Sequence, residues 1–223
     1  MGYFSKDFIK FFKELESNNN REWFTENKSR YEKSIKEPFY NLVGELLTRI
    51  SFDDPAILSD PKDCIFRIYR DIRFSKDKTP YKTYCSALVS RGGRKALNDP
   101  GFYFELNHKG VNVYTGLYNV DKEGLAKIRN KIAGNIKEFN KVIMNKKFVD
   151  KFGKEILGTK SKRLTPDLTE AAIGQPLIYN MQFYSHAKLS QSHISSDDLS
   201  DILMDYYNAG VHLTKYLESA LHK

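Results

Sequence analysis

The chain has 223 residues, 36 Lys and Arg against 28 Asp and Glu, and a formal net charge of +8. Fifteen Phe and fourteen Tyr supply enough apolar area for the core of one domain. No apolar run approaches the roughly 20 residues of a spanning helix, and the N-terminus lacks the apolar stretch of a secretory signal. A cytoplasmic protein without membrane contact is therefore expected, with its two cysteines buried and reduced.

The first fifty residues carry helical patterns. Between Phe8 and Leu15 the apolar residues recur at helical spacing, which predicts a short helix. The asparagines at 18–20 predict a turn between helices, because Asn both ends a helix and caps the next one. A second helix is predicted over 21–36, where Pro38 should break or kink it. A third then turns its apolar residues inward over 39–50.

The middle of the chain has strand composition. Aromatic and β-branched residues predict a strand over 64–70 and another over 83–90. Two alternating segments, 102–107 and 111–117, flank Gly110 and predict a hairpin, since Gly tolerates the positive φ of such a turn. These patterns together predict a mainly antiparallel sheet of about four strands, roughly between residues 64 and 117.

The remainder of the chain favours helix. Apolar stripes predict short helices that end at Gly153. Residues 158–195 are expected to be irregular, with a short helix near 177–181. A final helix begins after Ser195 or Ser196, either of which is a suitable cap. The predicted architecture is one α+β domain over 1–223, with helices on both sides of the sheet in chain order.

Positive charge is concentrated in one span. Residues 67–95 contain nine Lys or Arg and two Asp, a balance of +7. Clustered cations draw anions, and the guanidinium fork suits phosphate and carboxylate. The span therefore predicts a site for an anionic, phosphate-bearing small molecule. The candidate ligand-binding residues are Arg21, Arg67, Tyr69, Arg70, Arg73, Lys76, Lys78, Tyr81, Lys82, Arg91 and Arg94.

Two other interpretations of this basic span stay open. The protein could be an interaction module whose arginine motif is a structural ion-pair network, in which Asp71 and Asp77 pair with neighbouring arginines and Glu105 takes part of the remaining charge. Alternatively, the cations could contact nucleic-acid phosphates while Tyr69 or Tyr81 stacks on a base. Asp71 and Glu105 are also the candidates for a general base, although a carboxylate beside arginines has a lowered pKa and is a weak base.

The basic span lies within a longer run, CIFRIYRDIRFSKDKTPYKTY at 64–84. Upstream stands NNNREWFTENKSRYE at 18–32, and downstream stand SRGGRK at 90–95 and GLAKIRNKI at 124–132. Together these segments resemble the bacterial domain-of-unknown-function family 2461. The resemblance implies no reaction, substrate or catalytic residue. The family pattern has a His where this chain has Tyr84.

No sequence motif points to a cofactor or a metal. The five histidines show no HExxH and no close ligand pair, and there is no GxGxxG, Walker or GxSxG segment. No cofactor and no metal are therefore expected. Neither the oligomeric state nor a reaction follows from the sequence.

Overall fold

The computed structural model describes residues 2–57 and 60–222. Its centre is a four-stranded antiparallel sheet in the order β1-β2-β3-β4. The α+β class, the antiparallel pairing and the helices at both ends of the chain are as predicted. The strands are β1 (Tyr84–Val89), β2 (Gly101–Asn107), β3 (Gly110–Leu117) and β4 (Phe183–Leu189).

Helices precede the sheet, and side chains cap their first turns, with the predicted asparagine cap at Asn20. The Ser5 side chain accepts a hydrogen bond from the Asp7 amide at 3.2 Å, and Asn20 accepts one from the Trp23 amide at 2.8 Å. Such caps satisfy amides that have no partner within the helix. The helices are α1 (Lys6–Ser17), α2 (Arg21–Glu26), α3 (Lys28–Tyr31), α4 (Glu37–Ser51) and α5 (Pro61–Cys64).

The predicted break of the helix at Pro38 is wrong, because the irregularity is a wide helical turn that precedes the proline. The backbone stays helical from α3 into α4 through one wide turn, Glu32–Lys36, with i to i+5 hydrogen bonding. Pro38 lies in the first turn of α4, where its missing N–H matters least. The predicted helix over 21–36 is instead divided at Asn27, which caps the end of α2.

Short helices follow the hairpin, and one long helix closes the chain. Gly153 ends α8 with a φ of 77°, as the sequence predicts. The last helix begins at Leu199 after Asp198, whereas Ser196 only accepts a hydrogen bond from the Asp198 amide. The helices are α6 (Lys122–Gly134), α7 (Ile136–Ile143), α8 (Lys146–Phe152), α9 (Pro166–Gly174) and α10 (Leu199–Leu221).

Two predictions about the sheet are corrected. Residues 64–70 form no strand, because α5 takes Cys64 and only single bridges pair Ile65 and Tyr69 with other segments. The fourth strand, β4, instead comes from the segment that was expected to be irregular, and it pairs with β3. That segment also holds α9 and a 3₁₀ turn, Pro176–Tyr179, close to the short helix predicted at 177–181.

The sheet has one core face and one outer face. Helix α10 packs on the core face so closely that a Cβ at Gly210 would overlap Thr115 of β3. The outer face carries the alternate residues of each strand and has no comparable helix layer in the contacts of the described residues. The buried side chains of the core face include Ala87, Val89, Phe102, Phe104, Leu106, Val111, Val113, Leu117 and Phe183.

Candidate functional site

Residues 66–82, which include the first part of the basic span, fold as a narrow ribbon against the edge of the sheet. Phe66 donates its backbone N–H to Ser86 of β1 at 2.9 Å. Further along, the Lys82 amide donates to Ile68 at 2.8 Å and the Arg70 amide donates to Pro80 at 2.9 Å. The ribbon therefore has residues 68–70 on one side, 80–82 on the other and a loop over 71–79 at its tip.

Arg70 is committed to holding this loop. Its Nη1 lies 2.5 Å from the Asp77 carboxylate and 3.1 Å from the Thr79 carbonyl, and it also contacts the Thr79 hydroxyl. Only 25% of its side chain is exposed. Hydrogen bonds from the Thr79 amide and from Arg70 lower the pKa of Asp77. Arg70 thus has internal partners and is positioned by the loop rather than open to a ligand.

Arg73 has an internal partner as well, although in solvent. It forms a bidentate pair with Asp71, with Nε and Nη2 at 2.9 and 2.6 Å from the two carboxylate oxygens. Hydrogen bonds from Arg73 lower the pKa of Asp71 to about 2. A carboxylate with so low a pKa is a poor proton acceptor near neutral pH, which weakens Asp71 as a general base. Lys78 donates to the Ile72 carbonyl at 2.9 Å.

Four other candidate cations, three in the ribbon and Arg21 upstream of it, lie beyond ion-pair distance of every acid among the described residues. Among residues 2–57 and 60–222, no ion pair is formed by Arg21, Arg67, Lys76 or Lys82. Arg67 is exposed. Lys82 is partly buried, with its Nζ 5.1 Å from the ring centre of Phe66. Burial lowers the pKa of Lys82, and the positive charge of Arg67 lowers it further.

Arg67 lines a pocket of about 370 Å³ that contains four cations, and we call it the cationic pocket. Two of the four have acids: Lys36 lies 2.6 Å from Glu32, and Lys62 lies 2.9 Å from Asp60. Arg94 donates to the backbone carbonyl of Lys62 at 2.9 Å and pairs with no acid among the described residues. The described lining of the cationic pocket contains no Asp or Glu. It comprises Tyr31, Ile35, Lys36, Phe39, Tyr40, Lys62, Ile65, Phe66, Arg67, Ile68, Tyr84, Cys85 and Arg94.

A second pocket, the tyrosine cavity, lies on the outer face of the sheet and measures about 600 Å³. Cross-strand pairing sets Leu88 beside Tyr103 and Tyr103 beside Tyr114. Phe66 and Tyr84 belong to both pockets, so the two adjoin. The lining comprises Phe66, Tyr84, Leu88, Leu97, Asp99, Gly101, Tyr103, Tyr114, Thr115, Gly116, Tyr118, Asn119 and Tyr184.

Glu105 lies in a hydrogen-bonded row on the same outer face. It accepts from the Tyr103 hydroxyl at 3.1 Å and from the Asn112 amide at 3.0 Å. The amide nitrogen of Asn112 donates to Glu105, so the amide oxygen of Asn112 faces His186. That oxygen accepts a hydrogen bond from Nε2 of His186 at 3.0 Å. The expected ion pair between Glu105 and the arginines is absent from the part of the chain that the structure describes.

Tyr81 is not available for stacking on a ligand, which corrects that expectation. It is 5% exposed, and its ring stacks on Phe24 with the centres 4.0 Å apart. Asn19 hydrogen-bonds both the carbonyl and the amide of Tyr81, at 2.9 and 3.1 Å. The asparagine turn thus fixes the base of the ribbon. Tyr69 is half exposed and packs beside Tyr81.

Arg91 is separated from the ribbon and lies 3.5 Å from Glu218 of α10. The structure therefore brings Arg67 and Arg94 to one pocket and gives Arg70, Arg73 and Arg91 partners of their own. Sequence reasoning missed Lys36, Lys62 and the tyrosines. The alternation of large polar residues at 103, 105, 112 and 114 was the available signal, because it marks the face of the hairpin opposite the core.

Neither a metal centre nor a membrane span emerges from the described ranges. No group of three or more His, Cys, Asp or Glu side chains in residues 2–57 and 60–222 could hold a metal ion. Across the same residues, every helix is too short or too polar to cross a bilayer.

An antiparallel sheet packed on one face by helices, with a basic ribbon at its edge, defines an α+β protein with adjoining cationic and aromatic pockets. Residues 7–216 match the model of the family described as "Conserved hypothetical protein (DUF2461)". The chain belongs to that family, as its sequence motifs predict. No curated protein and no solved structure matches it.

Proposed function

We propose that the protein binds a small anionic molecule, bearing phosphate, in the cationic pocket. The observation that carries the proposal is Arg67, which lines a concave pocket and has no acid within ion-pair distance among the described residues. A guanidinium so placed offers two parallel donors to a phosphate or carboxylate.

The surrounding charges support an anionic ligand. Lys36 and Lys62 pair with acids that lie outside the lining, whereas Arg67 and Arg94 form no ion pair among the described residues. A concave surface with apolar walls and charges of one sign concentrates ions of the opposite sign. Tyr31 and Phe39 provide such walls. The binding proposal assigns no catalytic role, and Glu105 stays a candidate general base.

The experiment is a thermal-shift and calorimetric titration of the whole chain with phosphate, sulfate and a panel of phosphorylated metabolites. A ligand at one hundred times its Kd stabilises the folded state by about 2.7 kcal/mol. For a chain of this size, that corresponds to a rise in Tm of about 5–10 °C. Arg67→Ala should remove most of the shift.

Arg163→Ala is the matched control, since Arg163 is exposed and does not belong to the pocket lining. It should respond to ligand as the unmodified chain does. A panel that gives no shift, or a full shift in a folded Arg67→Ala variant, contradicts the proposal.

A second candidate is single-stranded nucleic-acid binding, which one observation favours. Phe74 is 95% exposed at the tip of the 71–79 loop, and the guanidinium of Arg73 lies 5.8 Å from its ring centre. An exposed ring among cations suits base stacking. Oligonucleotide affinity that falls steeply with salt and weakens in Phe74→Ala would favour this function; Arg67→Ala would then have the smaller effect.

A further inference from the structure

We infer that the tyrosine cavity receives a planar, uncharged ring of the same ligand, so that the ligand is a phosphate monoester of an aromatic or heteroaromatic compound. This inference rests on the proposed function for the anionic half. It adds the chemistry of the other half and is argued from the composition and shape of the second cavity.

The charge of the cavity differs from that of the cationic pocket. Its described lining holds no Lys or Arg, and Asp99 is its one carboxylate. That carboxylate already accepts a hydrogen bond from the Gly92 amide at 3.2 Å. A negatively charged group is therefore disfavoured in the tyrosine cavity and favoured in the cationic pocket. One ligand with an anionic end and an uncharged end satisfies both pockets.

The floor of the cavity is bare backbone at one point. Gly101 of β2 and Gly116 of β3 are directly paired, and both belong to the lining. Neither glycine projects a side chain, so a flat group can approach the peptide planes closely.

The walls supply aromatic faces. The rings of Tyr103 and Tyr114 have centres 5.6 Å apart and are inclined at 57°, so neither covers the face of the other. Tyr114 is stacked on one side by His186, with centres 4.4 Å apart, which holds its ring in place. Aromatic pairs are favourable at centre distances of about 4.5–7 Å, and a ligand ring fits this arrangement.

The phenol groups remain neutral and can donate hydrogen bonds. Burial raises the pKa of Tyr84, Tyr103, Tyr114 and Tyr184. The Tyr103 hydroxyl already donates to Glu105, and the neutral hydroxyls of Tyr84, Tyr114 and Tyr184 suit a ring that carries acceptor atoms. A cavity of about 600 Å³ lies within the usual range of about 300–1,000 Å³ for small-molecule sites.

The two cavities adjoin at Phe66 and Tyr84. Lys82 places its Nζ 5.1 Å from the ring centre of Phe66 and 5.8 Å from that of Tyr84. The junction therefore carries positive potential on the side where a phosphate ester would join its ring.

The test is calorimetry of the whole chain with four probes: inorganic phosphate, ribose 5-phosphate, phenyl phosphate and adenosine 5′-monophosphate. The two ring-bearing esters should bind at least tenfold more tightly than the two probes without an aromatic ring. Leu97→Trp, which adds bulk at a half-exposed position of the lining, should abolish that tenfold gain and leave the affinity for inorganic phosphate unchanged. Tyr118→Ala at the exposed rim is a second, milder variant and should reduce the gain.

Tyr206→Ala is the control, because Tyr206 packs on Phe152 away from both pockets. Equal affinities for ribose 5-phosphate and the ring-bearing esters overturn this inference and leave the cationic pocket standing. Binding of none of the four probes overturns both proposals. A ring preference that survives Leu97→Trp places the ring elsewhere and also overturns the inference.

Discussion

Arg67 and Arg70 stand three residues apart and have opposite surroundings, which leads to opposite results on substitution. Arg67→Ala removes an exposed side chain that forms no hydrogen bond or ion pair among the described residues, so the free energy of unfolding should change by no more than about 0.5 kcal/mol. Arg70→Ala removes the hydrogen bonds to Asp77 and Thr79 that close the loop.

The size of the Arg70 effect follows from burial. A hydrogen bond to a charged group contributes about 1.5–3 kcal/mol. The side chain of Asp77 is 59% exposed, so solvent screening reduces the expected loss to about 1–2 kcal/mol. For a chain of this length, that lowers Tm by about 2–8 °C.

Urea unfolding followed by far-UV circular dichroism measures both variants. The midpoint should fall for Arg70→Ala and stay for Arg67→Ala, with the slope m unchanged in each. Arg73→Ala is the control for an exposed pair, since Arg73 is 76% exposed, and its midpoint should barely move. If Arg67→Ala proves as destabilising as Arg70→Ala, then Arg67 stabilises the fold through internal contacts. That result would contradict the claim that Arg67 is available to an anionic ligand.

Other residues give sharp expectations as well. Gly116→Ala should lower stability by about 1–3 kcal/mol, because φ is 114° and a Cβ would overlap a carbonyl of β4; Gly134→Ala, with open space around it, should be neutral or stabilise by up to about 1 kcal/mol. Hydrogen bonds from Arg30 lower the pKa of Asp7; its contribution to stability is therefore complete above the ordinary value of 3.8 and is lost as pH falls through the depressed one, so an acid titration of stability should flatten in Asp7→Asn. Burial raises the pKa of both cysteine thiols, and a thiol reagent should react only after denaturant is added; rapid reaction of the native chain would refute this.

Local patterns predicted many elements correctly. The hairpin about Gly110 and the asparagine cap at Asn20 depend on residues within a few positions of one another. Hydrogen bonds and side-chain periodicity inside such a window are set by the sequence itself. Pro38 shows the limit of local reasoning, because the wide helical turn before it accommodates the proline.

The candidate site was predicted only in part. The concentration of charge over 67–95 is a property of the sequence, and it includes Arg67 and Arg94, which line the cationic pocket. Which arginine would lack an ion-pair partner was not predictable, because Asp77 reaches Arg70 only through the bend of the ribbon. Lys36 and Lys62 enter the same pocket from distant helices, and no spacing in the sequence brings them together.

The sequence alone therefore determined the local elements, the apolar faces that form the core and the place of the excess positive charge. Only the tertiary structure decided that β4 pairs with β3 across more than sixty residues of chain, and that tyrosines of separate strands enclose one cavity. The physical reason is range: helix stripes, caps and tight turns act between near neighbours, whereas strand pairing, ion-pair choice and pocket shape depend on how distant segments approach one another in the folded chain.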